Sequence, residues 1–131
     1  MLRKIAVSVA TTLCAATMLF MSGCGEDTNG AADPCEGATA LQIVSPVADQ
    51  AITVGQTVTI KWCLPATVQG VNVILNVDDN EVQLNRSGAV FAPTNEFPWV
   101  VEAAHVGTDV YVIVNDYNGP GTTMVKVSVS Q

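Results

Sequence analysis

An all-β domain, built as a sandwich of two sheets, is what this sequence predicts, on three observations. Beyond residue 38 the hydrophobic period is two, no stretch carries a convincing helical period, and turn residues recur at regular intervals between short apolar runs. The length left for the domain, roughly 100 residues, suits a single core that profits from a covalent staple.

The elements follow in order. A strand over 39–45 ends at Ser45-Pro46, and one over 52–62 alternates Val58, Ile60 and Trp62 with Thr57, Thr59 and Lys61. A third over 70–77 sets Val71, Val73, Leu75 and Val77 against Asn72 and Asn76, after the turn Gln69-Gly70. Asp78-Asp79-Asn80 and Ser87-Gly88 bound a strand over 81–86. Phe97, Trp99 and Val101 define one over 95–102. Val110 to Val114, apolar on both faces, reads as the middle of a sheet within 108–115. The last strand, 122–130, follows Asn118-Gly119-Pro120-Gly121 and alternates Val125, Val127 and Val129 with Lys126, Ser128 and Ser130. About seven strands is the count of an immunoglobulin- or fibronectin-III-like sandwich. The phase places Trp62 and Trp99 inward, in the core.

The start of the chain has a different character. Arg3 and Lys4 precede an apolar run to Met21, then Met21-Ser22-Gly23-Cys24, which reads as a removable export signal over 1–23. The stretch resembles the lipobox of bacterial lipoproteins, although Met21 stands where leucine is usual. That resemblance implies cleavage before a diacylglycerol-modified Cys24 and a membrane partner through the lipid. Gly25, in place of an inner-membrane retention aspartate, favours the outer membrane in a cell that has two. Residues 24–37, rich in Gly, Asp, Asn, Ala and Pro, read as a lipidated cysteine and a flexible tether, leaving 38–131 for the folded domain.

Cysteine arithmetic supports this reading. With Cys14 lost in the leader and Cys24 acylated, Cys35 and Cys63 remain as one pair in an oxidising compartment. In an up-and-down order of strands, the start of the first and the end of the second lie at one end of the sandwich, so Cys35 and Cys63 are expected to form a disulfide.

Charge and motifs exclude several functions. The formal charge of −7 becomes −9 once Arg3 and Lys4 leave, with Lys61, Arg86 and Lys126 the remaining cations. Nucleic acid is therefore not expected as a partner. No Gly-x-Ser-x-Gly elbow is present, and His105, the one histidine, reads as an ordinary loop residue, so neither catalysis nor a cofactor is expected. Asp49, Asp78, Asp79, Asn80, Glu81 and Asp109 fall on loops at the end away from the tether and offer oxygen ligands for calcium, but no Asp-x-Asp-x-Asp-Gly loop is present. Turn chemistry and solubility account for these residues more simply. For a sugar or protein ligand, Tyr117 between Asp116 and Asn118 is the best exposed candidate, with Phe91 at the same, anchored end.

A family resemblance accompanies these readings. Ile43, Pro46, the run Gly55-Gln56-Thr57-Val58-Thr59-Ile60-Lys61-Trp62, Val71-Asn72-Val73-Ile74-Leu75, Phe97-Pro98-Trp99-Val100-Val101 and Tyr111-Val112-Ile113-Val114 resemble the Ig-like domain named for the N-terminal part of Kre/Knh-type fungal cell-wall proteins. The domain also occurs in bacterial surface proteins. The resemblance covers 39–130 and implies a non-enzymatic module; Cys63 is an addition to its pattern. Two functions follow as expectations: an envelope-anchored binding or adhesion module for a surface protein or glycan, or a structural component docking onto a larger assembly by strand addition.

Overall fold

A computed structural model describes residues 33–131, and Pro34–Gln131 form one compact unit. The leader, Cys24 and residues 25–32 lie outside the described residues, and with them the expected acylation site.

Nine strands occur in the order β1 (Gln42–Ser45), β2 (Ala51–Thr53), β3 (Thr57–Cys63), β4 (Gly70–Val77), β5 (Asn80–Gln83), β6 (Val90–Phe91), β7 (Glu96–Val100), β8 (Val110–Asp116) and β9 (Thr122–Ser130). They form two sheets. One runs β1-β3-β7; the other runs β2-β9-β8-β4-β5, with β6 beside β4. All pairs are antiparallel except β2 with β9, which is parallel. This is the expected immunoglobulin- or fibronectin-III-like sandwich. Between its sheets pack Ile60, Trp62 and Trp99 from one side and Val71, Val73, Leu75, Val110, Val112 and Val114 from the other, all essentially buried.

The strand expected across 52–62 is in fact two, and they belong to different sheets. The Gln56 N–H donates to the Thr53 C=O at 3.1 Å, and Gly55 adopts φ +96°. That is the i+2 position of a turn that favours glycine. Gly55 and Gln56 together oppose Val101, whose N–H donates to Gln56 O while Gly55 N–H donates to Val101 O, each at 2.9 Å. A glycine-led bulge of this kind bends the strand and re-aims it. Before the turn the chain pairs with β9, and after it with β7. β6 is a second addition to the expected strands.

One side chain and one backbone amide complete the edge of β4. β5 covers Ile74 to Val77 and β6 covers Gly70 and Val71. Val73, between them, donates to Asn85 Oδ1 at 2.8 Å and accepts from Leu84 N–H at 2.9 Å. Asn85 is buried, and its Nδ2 donates to the Gly88 carbonyl at 2.8 Å. A buried amide so fully partnered substitutes for a missing ladder rung.

Candidate functional site

The two ends of the sandwich differ in chemistry. At the end where β3 stops, Cys35 and Cys63 are bonded, with Cα atoms 5.0 Å apart, as the strand order requires. Residues 34–37 form a turn held there by the bond. The same end carries the β8–β9 loop and β6.

Here the structure brings together Phe91 and Tyr117, which are 26 positions apart. Their rings meet edge to face, with centroids 5.8 Å apart and planes at 71°. Phe91 is 54% exposed and Tyr117 51%. The local reason is Gly70. It pairs with Phe91, and a Cβ there would lie 2.7 Å from the Phe91 ring, so the missing side chain is the seat of the aromatic. The Tyr117 N–H donates to the Gly70 carbonyl at 2.9 Å, fixing the second ring against the first.

The expected neighbours of Tyr117 divide their labour. Asp116 Oδ1 accepts the Asn118 N–H at 2.9 Å, and the Asp116 N–H donates to the Gly121 carbonyl at 2.7 Å. Asp116 therefore braces the loop, whereas Asn118 stands exposed beside Tyr117. Gly119 leaves room for the Asp116 carboxylate, which a Cβ would strike.

The aromatic pair continues into the outer face of the larger sheet. Because Val71, Val73, Leu75 and Val77 point inward, Asn72, Ile74 and Asn76 point outward. The register places Asn72 beside Asn115 and Thr122 in the row nearest the aromatics. Ile74, Ile113 and Met124 make the next row, and Asn76, Tyr111 and Lys126 the one after. Met124 is 57% exposed. The face is thus alternately amide and apolar, and Asn115 Oδ1 has no hydrogen-bond partner among the described residues.

The opposite end carries the expected calcium candidates, and the carboxylates of Asp78 and Asp109 have other occupations. Asp78 Oδ1 accepts the Thr108 and Asp109 amides, both at 2.9 Å. Asp109 pairs with Lys126, whose ammonium is held above its ordinary value, first by that hydrogen bond and then by the Asp109 charge. Asp78 and Asp79 both have positive φ, in the two-residue turn that joins β4 to β5. Asp49 also has φ 61°, and its N–H donates to the Lys126 carbonyl. Glu81 is exposed on β5 opposite Asn76. Among the described residues no three His, Cys, Asp or Glu side chains converge as metal ligands.

His105 corrects its reading as an ordinary loop residue. It is buried at the end of a 3₁₀ turn (Ala103–His105), where Nδ1 accepts both the Trp99 Nε1–H at 3.1 Å and the Glu102 N–H at 3.0 Å. An Nδ1 that accepts carries no hydrogen of its own, which assigns the ring's N–H to Nε2. This role was illegible because it depends on where the Trp99 indole ends.

Comparison with known proteins returns no matching family and no curated relative. Among solved structures the chain is similar to Clostridium thermocellum CbhA fibronectin(III)-like modules at 15% identity and a TM-score of 0.43, over 68% of this chain and 93% of that one.

Proposed function

We propose that this chain is a lipid-anchored, extracytoplasmic binding module whose ligand is a glycan of the same cell envelope, held at Phe91 and Tyr117. One observation carries the reading: two half-exposed rings are locked edge to face over Gly70, with the Asn118 amide beside them. Two rings set against each other in water beside an amide suit the apolar faces and hydroxyls of a sugar.

The rest of the reading comes from the sequence. The lipobox-like Met21-Ser22-Gly23-Cys24 supports acylation at Cys24, and the Kre/Knh-like pattern supports a place at a cell surface. The disulfide supports an oxidising compartment. From Cys24 to Cys35 the chain reaches at most about 40 Å, so a module anchored at Cys24 meets ligands close to its own membrane.

The test is binding of envelope polysaccharide fragments to the purified chain, by calorimetry or glycan array. Phe91→Ala and Tyr117→Ala are expected to fold normally and to weaken binding about twofold to tenfold, the range set by the loss of one stacking contact. Undiminished binding by both variants would overturn the platform. Mass spectrometry of the membrane fraction tests the anchor, and an unmodified N-terminus downstream of Cys24 would refute it.

A further inference from the structure

The loop between β8 and β9 holds an Asn-Gly step, Asn118-Gly119, whose surroundings differ from those of every other described asparagine. The side-chain carbonyl of an asparagine can be attacked by the backbone nitrogen of the next residue, which closes a five-membered ring. That attack needs a carboxamide free to turn, a nitrogen that no side chain screens, and a base to take the N–H hydrogen.

Elsewhere in the described residues at least one requirement is missing. Asn72, Asn76, Asn80 and Asn85 use their side chains in hydrogen bonds. Asn95 and Asn115 are followed by Glu96 and Asp116, whose side chains crowd the nitrogen, and the Asp116 N–H is already given to the Gly121 carbonyl. Asn118 is exposed, and among the described residues its carboxamide has no hydrogen-bond partner. The Gly119 N–H has no acceptor there either, and no side chain stands over it.

The base is at hand in Asp116. Its Oδ1 accepts the Asn118 N–H at 2.9 Å, which folds the loop back over the carboxylate. Its Oδ2 lies against Gly119: a Cβ there would be 3.1 Å from Asp116 Cγ and closer still to Oδ2. The Gly119 Cα is bonded to the nitrogen in question, so Oδ2 is within a small loop motion of that N–H.

We infer that Asn118-Gly119 is a self-modifying site, at which Asp116 drives the conversion of Asn118 to aspartate and isoaspartate. The Gly119 nitrogen gives its hydrogen to Asp116 Oδ2 and its electron pair to Asn118 Cγ, forming a C–N bond. The Cγ–Nδ2 bond then breaks, and ammonia leaves with the hydrogen that Asp116 held. Water opens the resulting succinimide at either carbonyl, so nothing is oxidised or reduced and water is the one co-reactant. The product sets a new carboxylate beside Asp116 and Tyr117, where like charges repel and loosen the loop that Asp116 braces. The chemistry stands whether or not Phe91 and Tyr117 hold a sugar; on that reading, the same step removes the amide beside the rings.

Peptide mapping by mass spectrometry on the full chain, held at neutral pH, decides it, with the Asn29-Gly30 step of the same chain as an internal reference. Relative to Asn29, Asn118 should convert about tenfold faster or more in the folded chain than in the chain unfolded by guanidinium chloride, because only folding places the base. Asp116→Asn keeps an acceptor for the Asn118 N–H but removes the base, and should slow the folded rate by a similar factor. Conversion in the folded chain no faster than in the unfolded one would overturn the proposal, and so would an undiminished rate in Asp116→Asn. The first comparison uses no variant, so it decides the matter even where the substitution disturbs the loop.

Discussion

The two ends of this sandwich are closed by different means, and each holds one of the two core tryptophans. At the disulfide end the closure is covalent. Trp62 adjoins Cys63, and its Nε1–H is buried with no acceptor among the described residues. At the other end the closure is polar: His105 takes the Trp99 Nε1–H, and Asp78 gathers the loop before β8 through two backbone amides. Both indoles are almost wholly buried. A staple tolerates an unmet donor and leaves loops free to display Phe91 and Tyr117, whereas an end without a staple uses its polar groups on itself. The exposed aromatics lie at the stapled end, where Asp116 also braces its loop, and the engaged Asp78 and Asp109 lie at the other.

The largest expected effect ignores the difference. Trp62→Ala and Trp99→Ala each empty a large volume between the sheets, at about 3–5 kcal/mol. Loss of that size consumes most of the stability of so small a domain. Denaturant titration should find both variants unfolded or nearly so, and two stable variants would show that the indoles are not the centre of the core. Next in size is the staple. Cys63→Ser opens a loop spanning 28 positions, which should cost about 3–4 kcal/mol by the chain-entropy argument. An unchanged melting temperature would mean that polar contacts suffice at this end too.

Sequence period alone exposes the strands on which these predictions rest, because valine alternation in 70–77 and 122–130 is a local property. The pairing of Cys35 with Cys63 is legible for a related reason, since strand order decides which ends meet. The break at 54–56 is not legible in the same way. Ile52, Val58, Ile60 and Trp62 all keep even positions, so the phase runs unbroken through a turn that moves the chain between sheets. Tyr117 and Asn118 could be picked out as exposed loop residues, but their meeting with Phe91 depends on Gly70, whose lack of a side chain gains meaning only from its partner strand. His105 and Asn85 likewise satisfy groups distant in the sequence.

A smaller effect separates the ends. Trp99→Phe removes a donor from His105, and His105→Ala strands the Trp99 N–H in the core. The second should cost about 1–3 kcal/mol through N–H groups left without that acceptor, and the first about 1 kcal/mol, because Nδ1 still accepts the Glu102 N–H. Trp62→Phe removes a donor that has no acceptor among the described residues, so it should cost less than Trp99→Phe by about 1 kcal/mol, although the two lose the same volume. Equal costs, read from urea midpoints at constant slope, would mean that the His105 bond contributes nothing net and that the ends differ only in their loops.

The smallest expected effect lies at the polar end, in Lys126, which bonds Asp109 on the surface. Its ammonium is held above the ordinary lysine value of 10.5, first by the hydrogen bond it donates to Asp109 and then by charge, with Tyr111 and Asp49 adding to the latter. A raised value in the folded state means that the protonated lysine favours folding. That contribution is complete at pH values below 10.5 and disappears as the pH climbs through the higher folded-state value. The stability difference between the native chain and Lys126→Met should therefore be level from pH 7 to about 9.5, shrink above 10.5, and shrink at any pH as salt screens the exposed pair. A difference that grows with alkalinity would reverse the sign of the interaction, and the polar end would then owe its closure to Asp78 and His105 alone.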